Sequence, residues 1–464
     1  MHPDLDGCLV VPVRRQLGGF ATGERSPVQL AEESYGRAIA HDELNFIRLA
    51  DRAEILAEAK ASEKRWRSGK PLGKLDGVVV MIKDNCLADG MSITWGSAVR
   101  QVTAIEDSPP VARLKEAGAI ILGLTTLPEW GWKGVTDSPA TGITRNLWNP
   151  ALTSGGSSGG AAVSAALGVA ALNLGSDGAG SIRIPSSFCG VFGFKPTFGI
   201  VPAYPLSVLP ELVTYGPITQ NVDDAGIMLD ILSGPDWRDW IAVPSTALKN
   251  EANRRPKIAY SRTLGYVSVD DEVLGITDAA VEALRGRGWD IVETDPGFGD
   301  PWDIVRPLYF GGLAYMVKAV EEKSRDAMDP NLVKSIDICT SSDEIFSASV
   351  ARQALGRQMN RFHRDFDLLL TPQMPITAFE TGRDFPEGRG MSNWFDWNPF
   401  TYPFNLTQQP AASLPCGISA AGLPVGLQVV GPRFSDREVL AFCRQFEEIC
   451  PFPRLGAHAR VHPV

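Results

Sequence analysis

The most constraining feature of the chain is a glycine- and serine-rich loop that runs directly into an apolar segment of small residues. The loop reads GGSSGG over residues 155–160, and AAVSAAL follows it over residues 161–167. A flexible linker is one interpretation of such a loop, but the residues after it are too apolar to lie outside a core. We therefore expect residues 161–175 to form a buried helix. A membrane-spanning helix is not expected, because the segment is shorter than the roughly 20 residues that span a bilayer.

A second loop of small residues follows, reading SDGAGSIR over residues 176–183. Successive backbone N–H groups in such a loop suit a developing oxyanion, and the absence of bulky side chains lets a substrate carbonyl approach. The candidate donors are the N–H groups of Gly178, Ala179, Gly180 and Ser181. Asp177 and Arg183 are expected to pair and hold the loop in place.

The surrounding sequence alternates helix and strand patterns. A helix start at Ser26 and a charged segment at about 51–67 predict two helices. The continuous apolar run at 78–82, which ends in Lys83, predicts a strand buried on both faces, and residues 119–124 predict another. This alternation is typical of an α/β architecture.

Composition disfavours several classes of function. The 464 residues carry a formal net charge of −10 without a clustered basic face, which disfavours nucleic-acid binding. The seven cysteines form neither a C-x-x-C pair nor a zinc-ligand spacing, so we predict reduced core thiols and no metal site. No membrane-spanning pattern or secretory signal is found, and a cytoplasmic location is the default expectation.

The chemistry of the first loop has several interpretations. Glycine amides before a helix bind anions, but no G-x-x-x-x-G-K-[ST] motif supports a nucleotide site. The letters GGSSG also fit the G-x-S-x-G nucleophile elbow of α/β-hydrolases, with His458 or His462 as the base. Against this, residues 149–154 do not resemble the strand that such an elbow terminates.

A lysine base is the remaining alternative. If Lys83 is buried beside the serine loops, desolvation lowers its pKa toward the range in which it accepts protons. A shift of about three units costs about 4 kcal/mol, which requires a well-packed site. The competing interpretation is that Lys83 only marks the point where the strand emerges into solvent.

Large aromatic residues are candidates for a substrate pocket. Trp130, Gly131 and Trp132 lie in a long loop, and Trp394 and Trp397 lie near the C-terminal end. They suit an apolar or aryl amide, although the same residues are equally suited to fill gaps in the core.

Three motifs together resemble the amidase signature family. They are GVVVMIKDN from Gly77, GGSSGGAA from Gly155, and SDGAGSIRIPSSFCGVFGFKPT from Ser176. They occur in the family's order, and the 24-residue spacing from Ser157 to Ser181 is also the family's. Similarity covers about 26–234 and returns at about 400–428.

The resemblance implies a Ser-Ser-Lys triad. In it Ser181 attacks the amide carbonyl, Ser157 follows a cis peptide bond and relays the proton, and Lys83 is the base. Ser158 would orient the loop. Ala179 departs from the glycine or threonine that is common at its position.

The same resemblance implies the fold. It is one large α/β domain over 1–464, with a mixed central sheet flanked by helices and no cofactor or metal. N-terminal helices would lie at about 26–67, a signature core at about 71–234, a variable region at about 235–375, and a return to the core at about 400–450.

The sequence thus predicts an amidase that cleaves a small-molecule amide through a serine acyl-enzyme and releases ammonia or an amine. The glutaminase component of a tRNA-dependent amidotransferase is an alternative, although Ile184 stands where that component usually carries glutamine. An α/β-hydrolase esterase and a non-catalytic binding protein are further alternatives. A homodimer stays open.

Overall fold

The computed structural model describes residues 10–209, 211–249, 254–338 and 341–452. Its helices are α1 (Val13–Thr22), α2 (Pro27–Ala40), α3 (Arg52–Arg67), α4 (Pro109–Glu116), α5 (Gly159–Leu167), α6 (Arg183–Cys189), α7 (Val222–Leu232), α8 (Asp271–Gly286), α9 (Trp302–Lys318), α10 (Pro330–Lys334), α11 (Ser342–Phe362), α12 (Pro403–Leu406) and α13 (Asp436–Ile449). Its strands are β1 (Ile47–Leu49), β2 (Val79–Lys83), β3 (Ser92–Ile93), β4 (Val102–Thr103), β5 (Ile120–Thr125), β6 (Asp137–Ser138), β7 (Gly142–Ile143), β8 (Leu172–Asp177), β9 (Phe192–Lys195), β10 (Thr214–Thr219), β11 (Ile258–Tyr260), β12 (Ile291–Glu293), β13 (Leu368–Pro372), β14 (Ala411–Ile418) and β15 (Pro424–Val430).

Eleven of these strands form one mixed sheet in the order β1-β5-β2-β8-β10-β9-β14-β15-β13-β11-β12. The pairs β5-β2, β2-β8, β13-β11 and β11-β12 are parallel, and the other neighbours are antiparallel. Helices including α2, α5, α7, α8 and α13 pack against the sheet. The predicted fold class, a single α/β domain with a mixed central sheet, is confirmed.

Helices α2 and α3 begin where the sequence predicts them, whereas α1 is not among the predicted helices. The Ser26 hydroxyl accepts a hydrogen bond from the N–H of Gln29, whose side chain accepts one from the N–H of Ser26. Asp51 caps α3 by accepting from two backbone N–H groups. Both caps satisfy donors that a helix start leaves free.

The centre of the sheet is buried on both faces. Every residue of β2, β5 and β8 is buried, as is every residue of α5, which packs on β2, β8 and β10. The prediction of a doubly buried strand at 78–82 is therefore confirmed.

The prediction of one helix over residues 161–175 is wrong in its second half. Helix α5 ends at Leu167, Gly168 takes a left-handed conformation with φ of 69°, and strand β8 begins at Leu172. A short apolar run fits a buried strand as well as a buried helix, and the glycine is the usual C-terminal signal of a helix. This strand sets the position of the second loop.

Within the described ranges, no helix combines the length and the apolar character needed to cross a membrane. Cys86, Cys189, Cys416, Cys443 and Cys450 are free thiols.

Candidate active site

The site lies at one edge of the central sheet, where β2 and β8 end. Because the two strands are parallel neighbours, their carboxyl ends meet at the same edge. Lys83 is the last residue of β2, and Ser176 and Asp177 are the last two of β8. The first glycine loop brings Ser157 and Ser158 to the same place, immediately before α5.

Lys83 is fully buried and surrounded by hydroxyl groups. Its Nζ lies 2.7 Å from Ser157 Oγ, 2.9 Å from Ser158 Oγ and 3.0 Å from Ser176 Oγ. The interpretation that Lys83 marks the emergence of the strand into solvent is therefore wrong. The serine loops cover the end of the strand and enclose the amine.

Burial changes the protonation of this amine. Desolvation disfavours the charged form and lowers the pKa of Lys83 to about 7. A lysine with this pKa is neutral in a large fraction of molecules at neutral pH, so its nitrogen can accept a proton.

The first loop holds Ser157 through close backbone packing. The peptide bond between Gly156 and Ser157 is cis, as the resemblance implies. A side chain at Gly156 would place its Cβ 2.6 Å from the carbonyl of Val135, and one at Gly131 would lie 3.1 Å from Ser157 Oγ. Glycine at these positions lets the backbone approach and leaves the hydroxyl accessible.

The second loop is held by a buried ion pair between Asp177 and Arg183, as the sequence predicts. Both carboxylate oxygens of Asp177 contact the guanidinium, at 2.9 and 3.0 Å. Arg183 also donates to Thr401 O, Gln428 Oε1 and Asn405 Oδ1. Although burial opposes ionisation, Arg183 holds the pKa of Asp177 well below its usual range. The pair therefore stays charged and fixes the loop.

The loop differs from the sequence expectation at Gly180. Its N–H donates to Asp177 Oδ1 at 2.7 Å, so this donor is already used. Its φ is 121°, and a Cβ at this position would meet Thr401 Oγ1 at 2.6 Å. Gly180 therefore maintains the conformation of the loop. Its N–H is bonded to Asp177 and is not free to bind a substrate oxyanion.

A cavity of about 160 Å³ opens beside these loops. Ser157, Ser181 and Gly178 line it, together with Trp130 and Gly131. Ser157 and Ser181 are only 2% and 6% exposed, so both hydroxyls lie at its buried end. The structure thus brings together the two candidate serines, the candidate lysine and part of the predicted aromatic loop.

The other predicted aromatic residues belong to the core. Trp132 does not line the cavity, and its indole N–H donates to Asp329 Oδ2 at 3.2 Å. Trp394 and Trp397 are 2% and 0% exposed and pack in an aromatic cluster with Tyr309 and other rings. The alternative that they fill the core is the correct one.

Several cavity residues were not identified from the sequence. Ser176 and Asn85 lie within the resembling motifs, and the Asn85 amide donates to Ser176 Oγ at 3.0 Å. The outer walls come from distant segments, and no local pattern marks them as part of a site; they include Trp95, Arg100, residues 205–209, Tyr309, Leu313 and Met316.

No histidine of the described chain lines the cavity. His458 and His462, the candidate bases of an esterase, lie outside the described residues. Among the described residues, no group of three or more histidine, cysteine, aspartate or glutamate side chains is arranged to hold a metal ion.

Comparison with known proteins identifies the family. The family model described as Amidase matches residues 29–440. The chain is 34% identical over 451 residues to an acylamidase of Rhodococcus erythropolis, and the match covers 93% of this chain and 94% of the relative. The chain belongs to the amidase family. It is an enzyme that hydrolyses amide C–N bonds, as predicted.

Other relatives of this amidase differ in role. A glutamyl-tRNA(Gln) amidotransferase component from Synechococcus sp. (strain CC9605) is 32% identical over 86% of the chain and 87% of that protein. Among solved structures, a bacterial aryl acylamidase of the amidase signature family superposes with a TM-score of 0.87 at 27% identity, over 95% of this chain and 96% of the other. Family membership therefore does not determine the substrate.

Proposed function

We propose that this amidase hydrolyses small acylamides through a covalent acyl-enzyme on Ser181, with Ser157 as proton relay and Lys83 as base. The observation that carries the proposal is the 2.7 Å contact between Lys83 Nζ and Ser157 Oγ in a fully buried environment. Ser157 and Ser181 line the same cavity, so the nucleophile and the relay face one substrate.

The hydrogen bonds around Lys83 support its role as base. The Ser158 hydroxyl donates to Ser176 O at 3.2 Å, so its oxygen is left to accept from Lys83. Ser176 Oγ accepts from Asn85 and has a second lone pair for Lys83. A neutral amine has two N–H donors and one lone pair. Ser158 and Ser176 take the donors, which leaves the lone pair for the Ser157 hydroxyl.

In the first half of the proposed reaction, Ser181 Oγ attacks the amide carbon and gives its proton to Ser157, which passes its own to Lys83. The backbone N–H groups of Gly178, Ala179 and Ser181 are proposed to stabilise the oxyanion. The C–N bond then breaks. The proton returns from Lys83 through Ser157 to the leaving nitrogen, and ammonia or an amine departs.

In the second half, water attacks the ester on Ser181. The water gives one proton to the Ser157–Lys83 relay, which returns it to Ser181 Oγ as the acyl bond breaks. The products are the carboxylic acid and the free enzyme. Ser158, Asp177 and Arg183 support the site by fixing the lysine and the second loop.

The cavity walls favour an acylamide with an apolar body. Gly131 lies beside Ser157, and Trp130, Leu206, Val208 and Leu313 also line the cavity. Apolar walls gain free energy by taking aliphatic or aryl groups from water. This agrees with the acylamidase and aryl acylamidase found among the relatives.

The amidotransferase relatives raise glutamine as an alternative substrate. Glutamine carries an α-ammonium group, which needs a carboxylate or several acceptors when it is bound away from water. No aspartate or glutamate of the described chain lines the cavity. The cavity therefore favours simple acylamides, and hydrolysis of such amides by the purified single chain would separate the two functions.

The test of the mechanism is substitution of the proposed triad. Ser181→Ala and Lys83→Met should each lower kcat for a simple amide by about 10³-fold or more, because each removes an obligatory step. Ser164→Ala is a matched control, since Ser164 is buried in α5 and does not line the cavity. It should keep wild-type turnover. Substantial activity in Ser181→Ala would refute the mechanism.

A further inference from the structure

The cavity has one charged side chain among its described lining residues, the guanidinium of Arg100. The rest of the lining is apolar, aromatic, or neutral and polar. An isolated cation in such a wall favours ligands with an anionic group, because its Coulomb attraction to a full negative charge exceeds its interaction with a neutral polar group.

Arg100 is held in place by an aromatic ring and not by an acid. Its guanidinium carbon lies 4.7 Å from the centre of the Trp95 ring, a cation–π contact. No ion pair between Arg100 and another described residue is present. The guanidinium N–H groups are therefore available to a ligand.

The backbone of Trp95 is fixed to the catalytic region. Its backbone N–H donates to Asp84 O at 3.0 Å, next to Lys83, and its backbone carbonyl accepts from the backbone N–H of Trp130 at 2.7 Å. Trp95 therefore connects the position of Arg100 to the strand that carries the lysine and to the loop beside Ser157.

Arg100 lies at the solvent end of the cavity. It is an exposed residue, whereas Ser157 and Ser181 are buried. Val213, Leu313 and Met316 add apolar surface to the same lining. A ligand that matches these walls has an amide at the buried end, an apolar body, and a negative charge at the solvent end.

We propose that the amidase is selective for acylamides that carry a terminal carboxylate, which Arg100 binds at the mouth of the cavity. This inference rests on the proposed function. The planar guanidinium donates two parallel hydrogen bonds to a carboxylate, and its single charge matches the single charge of that group. Arg100 is then a specificity-determining residue that leaves the chemistry at Ser181 unchanged.

The test compares matched substrates. Monoamides of linear dicarboxylic acids of increasing chain length are each paired with the neutral alkyl amide of the same length. For the best-fitting length, wild-type kcat/KM should be higher for the carboxylate than for the neutral amide. Arg100→Gln should lower kcat/KM for the carboxylate by about tenfold and leave that for the neutral amide unchanged.

Two further variants test whether the charge and the geometry of Arg100 cause the preference for the carboxylate. Arg100→Lys keeps the charge but not the fork of donors, so it should recover part of the preference. Arg14→Gln makes the same charge change at an exposed position of α1 that does not line the cavity, and it should have no effect. Added salt should reduce the preference of the wild type and not alter that of Arg100→Gln.

Failure of the carboxylate proposal can be distinguished from failure of the proposed function. A wild-type enzyme that hydrolyses neutral amides but shows no preference for their carboxylate partners would overturn this inference and leave the proposed function standing. An equal loss for both substrates in Arg100→Gln would also overturn it, because Arg100 would then only support the cavity wall. Hydrolysis of neither substrate by the wild type would overturn both proposals.

Discussion

Lys83 has a low pKa because it is buried and no carboxylate of the described residues contacts its amine. Its neighbours within hydrogen-bond distance are the neutral hydroxyls of Ser157, Ser158 and Ser176, and these stabilise the charged form less than an anion would. Desolvation therefore dominates, and the pKa is lowered to about 7.

With Lys83 as the proposed base, the pH dependence of activity is expected to follow this pKa. Below it Lys83 is protonated and cannot accept the proton of Ser157, and above it the amine is neutral. We therefore expect kcat/KM to rise with pH through about 7 and then level off. Steady-state assays over a pH series test this, because kcat/KM reports the pKa values of the free enzyme.

A second buried lysine provides the control for this assignment. Burial and the nearby Arg183 lower the pKa of Lys195 to about 7 as well, but Lys195 donates to Pro196 O and does not line the cavity. Lys195→Met should keep the rise in kcat/KM. If the rise disappears in this variant, the titrating group is not Lys83.

At the level of single residues, the sequence predicts only some members of the site. Lys83 and Ser157 follow from their motifs, but the burial that lowers the pKa of Lys83 depends on the two serine loops, whose hydroxyls enclose the amine. Ser176 stands in a resembling motif, and nothing local indicates that its side chain turns toward β2. Its contact with Lys83 exists only because β2 and β8 are neighbours in the sheet.

The elements around the second loop depend on the Asp177–Arg183 pair. The pair joins the end of β8 to the start of α6, and Arg183 reaches α12 through Asn405. The sequence predicts the pair because its members are six residues apart in one loop. It does not predict the partners at Thr401, Asn405 and Gln428, which come from more than two hundred residues away.

Loss of this pair should destabilise the protein. Asp177→Asn leaves the fully buried guanidinium of Arg183 without its counter-charge, which costs about 3–5 kcal/mol. Asp223→Asn is the matched control, because Asp223 pairs with Arg444 at the surface, where such pairs contribute about 0–1 kcal/mol. Thermal unfolding should show a clearly lower Tm for Asp177→Asn and almost no change for the control. Equal Tm values would contradict this account of the loop.

The change from helix to strand after α5 shows why the sequence predicts β8 as part of a helix. Residues 161–175 are apolar almost throughout, so neither a helical nor a strand period stands out. Gly168 is the local signal for the helix end. The strand character of the following residues is set by pairing with β2 and β10, which are far away in sequence.

Across the whole molecule, a buried charge cluster fixes the loop that carries Trp130 and Gly131. Lys133 Nζ lies 2.6 Å from Asp137, 2.9 Å from Asp329 and 2.7 Å from Asp384. Although burial opposes its charge, these carboxylates hold the pKa of Lys133 above the usual range. The cluster ties the cavity loop to the cap of α10 and to the segment near residue 384.

Removal of this central cation should loosen that connection. Lys133→Met leaves three largely buried carboxylates without their common partner, so we expect about 3–5 kcal/mol of destabilisation. Lys323→Met removes an exposed lysine that pairs with Glu321 at the surface and should change stability little. Thermal unfolding and limited proteolysis measure both variants. A Tm of Lys133→Met equal to that of the control would contradict the structural role of the cluster.

The distant walls of the cavity could not be predicted from the sequence. Helix α9 contributes Tyr309, Leu313 and Met316, and in a linear reading these are ordinary apolar positions of a helix. They reach the cavity wall only because α9 packs against the loop of Trp132, whose carbonyl accepts from the Tyr309 hydroxyl, and against residues 208–209. The buried end of the site is therefore visible in the sequence motifs, whereas the outer walls of the cavity depend on tertiary structure.

The most direct test of the central claim is to identify which serine becomes covalently modified. The enzyme is treated with a serine-directed fluorophosphonate, digested, and the labelled peptide is sequenced by mass spectrometry. We predict modification of Ser181 in the wild type, and slow or absent modification in Lys83→Met, because the proton relay activates the nucleophile. Modification of Ser157 in place of Ser181, or labelling that is unaffected by loss of Lys83, would contradict the proposed mechanism.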